Sequence, residues 1–392
     1  MVVIVLVGCK PQEARQLPTS MKPSEHQMLS APPMVRVQLG AGLRGDQLPT
    51  VRTDGKTSFE KPGGEVLKEV AVLGTSKIAV EGGKLRVGSF VSSEPVVMVN
   101  TGESGTFTVG TRTYRGDLEI RRHADGTVTL VNYLDLESYT RGVVASEMPK
   151  EWAEEALKAQ AVASRTYAYA LVQENNGKGM FDVTADFQTN QVYEGVLSET
   201  IPSDRAVQET RGLVLTYNGK PFRTYFSSTC GGHTEACGLV WKDYATIAPL
   251  TGVECNYCRD SKWYTPWEVT LSAQTIGSVL EKAGYPTAQV KDIRLRDRNN
   301  DGHMDRVELT TSSGVVEMSG NDFRLAIGSI KLKSMMCRVE RVGGDFKFSG
   351  RGFGHGVGMC QYGVRGMIGQ GKLWEEAVHH YYPASDIWKI YR

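Results

Sequence analysis

Four groups of residues in this chain have types and spacings that could do chemistry. The first is Glu147, which stands just before Met148-Pro149 and an Ala-rich stretch. A carboxyl group there can cap the first turn of a helix, or it can move protons as a general acid and base. The residues alone leave both readings open. The second is a run of cysteines, Cys230, Cys237, Cys255 and Cys258, with His233 close behind Cys230. Cys230, His233, Cys255 and Cys258 have the donor types of a tetrahedral zinc site, and the rival reading is one or two disulfides among the four cysteines. The third is Asp297, Asn299, Asp301, Asp305 and Glu308 around Gly302, the spacing of a calcium-binding loop. Its flanks, Ile293-Arg294-Leu295 and Val307-Glu308-Leu309, read as strands, so an acidic hairpin turn closed by Asp301-Gly302 is the alternative. The fourth is the Gly-rich segment Ser349–Gly371, which carries His355, Gln361 and Tyr362. No strand-to-helix unit with a partner acid follows it, which excludes a dinucleotide loop. It reads as a tight wall letting those three side chains face a substrate.

These residues need elements to position them. Met148-Pro149 reads as the opening of a helix that runs to about Glu174, with Pro149 in its first turn and Glu151, Glu154 and Glu155 at the positive end of its dipole. Its many alanines make a slim helix suited to close packing, and Asn176-Gly177 ends it. Upstream, Val35–Leu39, Lys84–Val87, Val96–Val99, Gly105–Val109 and Asp117–Arg121 read as short strands, and Asp125-Gly126 before Thr127–Val131 signals a hairpin. Downstream, strands are expected at Gly212–Tyr217, Arg223–Phe226, Trp267–Leu271 and Arg306–Leu309, with helices at Ala273–Ala283 and about Trp374–Tyr381. The expected class is α+β with strands in the majority. We expect a tether over residues 1–34, a β-rich lobe over 35–132, and a catalytic lobe over 133–392.

With 392 residues, 45 basic and 44 acidic, the chain has a formal charge of +1 and no electrostatic drive toward nucleic acid. Its first residues form a short apolar run ending in Leu6-Val7-Gly8-Cys9, which resembles a lipobox, the alternative being an N-terminal β-strand that ends in a cysteine. A polar tether to about Pro33 follows, and together they predict a membrane-anchored lipoprotein of the cell envelope, lipidated at Cys9. The run is far too short to span a bilayer.

The segment Leu136 to Pro149, continuing through Glu155 to Tyr167, strongly resembles the stage II sporulation protein D family (SpoIID/LytB domain). Gln191-Val192-Tyr193-Glu194-Gly195, Ser228 to Glu235 and Gly350 to Gly363 agree with it in order. The resemblance implies lytic transglycosylation of peptidoglycan strands stripped of their stem peptides. In that reaction the bond between N-acetylmuramic acid and N-acetylglucosamine breaks and the muramic C6 hydroxyl closes onto C1. Glu147 falls on the family's catalytic glutamate. Zinc beside the site in some relatives draws ligands from the Cys230 segment. Arg165, Tyr167, Gln191, Tyr193, Ser227, His355, Gln361 and Tyr362 are the expected glycan-facing residues. The LytB-type alternative is a non-catalytic peptidoglycan-binding module that stimulates a cell-wall amidase. Ordinary hydrolysis would need a second carboxylate near Glu147, for which Asp135, Glu137, Asp182 and Asp186 are candidates. One tension stands: a glutamate at a helix N-terminus has its pKa lowered, whereas a general acid needs it raised.

Overall fold

Period-two alternation does what it should in the first third of the chain. Val35 and Val37 point inward and are fully buried, and Arg36 between them points outward to Asp182. The structure is a computed structural model that describes residues 28–102, 105–185, 190–242, 245–287, 289–297 and 301–392. Cys9, Asp186 and Asn299 therefore lie outside the described residues.

Met34–Leu43 pairs with Val128–Asp135, which pairs with Asp117–Arg122 and, beyond it, Val96–Asn100. They belong to a seven-stranded sheet. The hairpin at Asp125-Gly126 forms as the sequence predicts, with Asp125 Oδ1 accepting from Thr127 N at 3.0 Å. A six-stranded sheet built on Thr50–Thr53 and Thr106–Val109 shares the same core. Class and strand majority are those expected. The expected strand at Arg223–Phe226 forms only from Phe226, because Thr224 turns inward to donate to Ala163 O at 2.6 Å.

The helices depart more from expectation. They are α1 (Leu136–Glu147), α2 (Glu154–Asn175), α3 (Ile201–Glu209), α4 (Cys237–Val240), α5 (Ala273–Lys282), α6 (Gly320–Ile327), α7 (Gln361–Gly369) and α8 (Trp374–Tyr381). Glu147 does not head the Ala-rich helix; it is the last residue of a separate helix before it. The cause is Pro149. Its ring forbids the α conformation to the residue before it, so Met148 is extended at φ −126° and ψ 139° and the helix stops. Helix α2 then starts at Glu154 and packs against α1, α3, α7, α8 and the strand Leu213–Tyr217. A helix covered on so many sides needs small residues, and Ala156, Ala159, Ala161, Ala163 and Ala168 are all fully buried. It ends on Asn176, left-handed at φ 45°.

Residues from about Trp267 to Phe348 form a module with its own core, including Ile276, Leu280, Val307, Leu309, Phe323 and Phe348. Two three-stranded sheets flank α5 and α6. The chain re-enters the central body through the parallel pair Phe226–Ser227 and Met359–Cys360. Among the described residues no helix is long and apolar enough to cross a membrane.

Candidate functional site

Helix α1 is held at its start by Asp135, whose Oδ1 accepts from Glu137 N and Ser138 N. Near its end Gly142 lies against Tyr193, and a Cβ there would meet the ring at 2.7 Å. This close approach fixes the last turn, and with it Glu147. The carboxyl Oε1 accepts from Val192 N at 2.9 Å. Gln361 Nε2 donates to the Glu147 carbonyl at 3.2 Å and to Gln160 Oε1 at 3.3 Å. Burial raises the carboxyl pKa to about 7, outweighing the Val192 and Gln361 hydrogen bonds that pull it down. At a helix C-terminus the dipole presents its negative end, so it also disfavours the carboxylate. The tension expected for a helix N-terminus does not arise.

Glu147 opens on a cavity of about 320 Å³. Asn190 and Val192 form one side, Phe226, Trp241 and Phe353 supply aromatic surface, and Ser227, Ser228, His355 and Gln361 supply polar groups. Trp241 stacks on Tyr225 with centroids 4.4 Å apart, which fixes its plane. The inserted module contributes Asn321, Arg324, Leu325, Ser329 and Ile330. Among the described lining residues Glu147 is the one carboxylate. Half-buried His355 accepts from Val357 N through Nδ1 at 3.0 Å. Burial, with Arg324 nearby, drives its pKa down to about 3, so it is a neutral hydrogen-bonding group rather than a proton shuttle.

Of the glycan-facing residues expected from sequence, Ser227, His355 and Gln361 line this cavity and the others do not. Gln191 and Tyr193 are buried, and bond Tyr139 (3.1 Å) and Asn132 (3.0 Å) respectively. The segment alternates, so its even members Asn190 and Val192 take the cavity side and the odd ones the core. Tyr167 acts one step back, its hydroxyl meeting Asn190 Nδ2 at 3.1 Å. Tyr362 packs edge-on against Trp152. Arg165 is fully buried and makes a bidentate pair with Glu137 at 3.0 and 2.8 Å. Glu137 also accepts from Gly212 N and Tyr391. The pair is therefore a structural knot joining α1, α2 and the C-terminal segment at Tyr391. Asp135 and Asp182 are likewise engaged elsewhere, by the α1 N-terminus and by Arg36.

The cysteines gather differently from the expected set. Sγ atoms of Cys230, Cys255, Cys258 and Cys360 lie within 4.8 Å of one another, all buried, and this group could hold a metal ion. Cys360 takes the place assigned to His233, whose Nδ1 instead donates to Thr234 O at 2.7 Å and faces Asp301 at 3.6 Å. All six described cysteines are free thiols, and Cys237 stands apart, directed at Ala245 O. The donor set fits a tetrahedral ion. Cys230 and Cys258 sulfurs are 3.8 Å apart, the edge of a tetrahedron with metal–sulfur bonds of about 2.3 Å. Backbone N–H groups of Cys230 and Gly363 point at Cys360 Sγ, both at 3.3 Å, as thiolates require. Gly363 leaves room for the cradle, since a Cβ there would sit 2.8 Å from Cys255 Sγ. Hydrogen bonds from the neighbouring thiols, Cys230 first, hold Cys255 well below the ordinary thiol range, while burial pushes Cys230 and Cys360 up.

Residues 124–217 match the family described as Stage II sporulation protein, and residues 250–358 match a domain of unknown function (DUF8618). The chain is 34% identical over 272 residues to stage II sporulation protein D of Bacillus amyloliquefaciens, covering 66% of this chain and 75% of that protein. The chain belongs to the stage II sporulation protein D family. It is also 34% identical over 282 residues to an uncharacterized protein of Brachyspira hyodysenteriae, covering 72% and 74% of the two chains. An amidase enhancer of Bacillus subtilis is 28% identical over 63% of this chain, which spans 40% of that relative.

In this member of the stage II sporulation protein D family the acidic loop expected to bind calcium is described at Asp297, Asp301, Asp305 and Glu308, while Asn299 lies outside the described residues. Among the described residues the four cysteines are the one group of three or more such side chains with ligand atoms close together. Asp297 Oδ2 accepts from Gly302 N and Asp301 Oδ1 from His303 N, both at 2.8 Å, so these carboxylates close a turn. An EF-hand returns its last ligand through a helix. Here Arg306–Thr311 is a strand, and Glu308 faces Arg294 and Arg296. The turn places buried His303, whose Nε2 meets His233 O at 2.9 Å, beneath Gly356. It thereby supports the loop that carries His355. Sequence reasoning missed Trp241, Asn321, Arg324 and Cys360; only Cys360 had a local signal, its residue type.

Proposed function

We propose that this protein is a lytic transglycosylase that cleaves the muramic acid–glucosamine bonds of peptide-stripped peptidoglycan strands. The observation that carries this reading is a single carboxyl group, Glu147, raised to about 7 and opening on a cavity with no second carboxylate among its described lining residues. A hydrolase of the usual kind needs a pair. One carboxyl suffices when the second nucleophile is the substrate's own hydroxyl. Protonated Glu147 gives its proton to the glycosidic oxygen as the C1–O bond breaks. The carboxylate then takes the proton of the muramic C6 hydroxyl as that oxygen bonds to C1, which returns the acid form. Val192 N holds Oε1, leaving the other oxygen to carry the proton. Trp241, Phe226 and Phe353 offer the stacking faces that sugar rings use.

Zinc is the ion we assign to Cys230, Cys255, Cys258 and Cys360. Four thiolates close its coordination, so it would supply structure rather than activate water. In this reading the protein works outside the cytoplasm, anchored through Cys9. Similarity to an amidase enhancer supports a second reading, a peptidoglycan-binding module that stimulates a cell-wall amidase. Digestion of peptide-free strands by wild type and Glu147→Gln, followed by mass analysis, separates the two. The catalytic reading expects 1,6-anhydro ends that vanish in the variant. Reducing ends, or uncut strands that still bind, would overturn it.

A further inference from the structure

Among the described residues Arg324 is a buried cation with no carboxylate in hydrogen-bonding range, although Glu235 and Asp305 line a small adjoining cavity with it. It sits on α6 of the inserted module, is 7% exposed, and lines the same cavity as Glu147. Its Nε and Nη2 both donate to Asn321 Oδ1, at 3.2 and 3.1 Å. Among the described residues no carboxylate pairs with it, and nothing engages Nη1. A neutral amide is a weak partner for a guanidinium, and desolvation without a countercharge costs free energy. Burial pushes its pKa down to about 10, with no nearby charge acting against that. Proteins rarely bury an arginine this way unless an anion completes it, and the planar fork matches a carboxylate.

The proposed reading already supplies such an anion. In peptidoglycan the lactyl group of muramic acid ends in an amide wherever a stem peptide is attached, and in a free carboxylate wherever it has been removed. We propose that Arg324, oriented by Asn321, binds the free lactyl carboxylate of a muramic residue in the cleft, and so makes the inserted module the part that selects peptide-free strands. This rests on the reading of the cleft as a glycan site. Glu147 and Arg324 then divide the work: one carboxyl breaks the bond, and the cation on the other body recognises what the bond's neighbour carries. The lip beside it, with Leu325 46% and Ile330 72% exposed, offers apolar surface to the sugar ring.

The test compares three muramic-acid tetrasaccharides by calorimetric binding: the free lactyl acid, its methylamide, and the analogous chitotetraose, which has no lactyl group. Wild type and Glu147→Gln are expected to bind the acid about 10- to 100-fold more tightly than the other two. Arg324→Gln should lose that preference and bind all three alike, while Arg324→Lys should recover part of it. Because an unpaired buried cation is being removed, Arg324→Gln should melt no lower than wild type, which separates lost recognition from lost folding. Equal binding of acid and methylamide by wild type, or an undiminished preference in Arg324→Gln, would overturn the proposal. Acid preference without strand cleavage would leave the carboxylate site standing and remove the transglycosylase reading instead.

Discussion

At the scale of single residues, the environment of Glu147 sets a pH dependence with a definite sign. Its pKa is raised from 4.5 to about 7, so between these values the folded protein keeps a proton that the unfolded chain has released. The associated stability is complete below about 4.5 and is lost as pH rises through about 7. Glutamine cannot ionise, so Glu147→Gln should melt above wild type at pH 8 and converge with it at pH 4. At about 1.4 kcal/mol per unit, reduced because the carboxyl opens on a cavity, the gap at pH 8 is about 1–3 kcal/mol. Strand cleavage should fall about tenfold per unit above pH 7, as the acid form is depleted. Differential scanning calorimetry across pH, beside initial rates, checks both; equal melting curves at pH 8 would remove the buried-acid description.

At the scale of elements, the break between α1 and α2 is what turns a helix-capping glutamate into one facing a cavity. The Ala-rich helix was legible because small residues recur along it, and the strands were legible because alternation is local. Helix α1 was not, although Asp135 is an ordinary N-cap. Its buried positions include Glu137, Thr140 and Gly142, and these make sense only through partners distant in sequence: Arg165 for Glu137, Tyr193 for Gly142. The same limit hid Arg324 and Trp241, whose place in the cavity depends on how two bodies meet. It also inverted the segment after Asn190, where the backbone direction decides which alternate residues face the cleft. Gly142 gives this a test. In a free helix Gly→Ala gains about 1 kcal/mol, whereas an overpacked contact costs about 1–3 kcal/mol. With Tyr193 carbon 2.7 Å from the added Cβ, the contact should win. Gly142→Ala should therefore lower the melting temperature and, by displacing the last turn, reduce cleavage as well. A variant that melts higher would show that α1 and Tyr193 are not in register.

At the scale of the whole molecule, the central body and the inserted module must be held in one arrangement for the cavity to exist, because Phe226 and Trp241 come from the first and Asn321 and Arg324 from the second. The cysteine group does much of this. Cys230 follows the strand Phe226–Ser227 that lines the cavity, Cys255 and Cys258 hold the loop leading to the module, and Cys360 caps α7 with its sulfur accepting from Gly363 N. Gln361, next along, reaches Glu147. An ion on these four sulfurs therefore closes long loops whose entropy would otherwise oppose the site, and binding free energy becomes folding free energy. The protein as isolated should contain about one zinc per chain by elemental analysis. Removing it with a strong chelator under reducing conditions should split thermal unfolding into two transitions. The earlier belongs to the core around Cys230, Met359, Val364 and Tyr381, and the later to the strand core at Val35, Val97 and Ile120, which has no part in the site. Cleavage should vanish with the first transition and return when zinc is restored. Cys360→Ser should reproduce the stripped protein, whereas Cys237→Ser, outside the group, should keep its zinc and its single transition. Full activity in a metal-free protein with four reactive thiols would leave the sulfurs as packing alone.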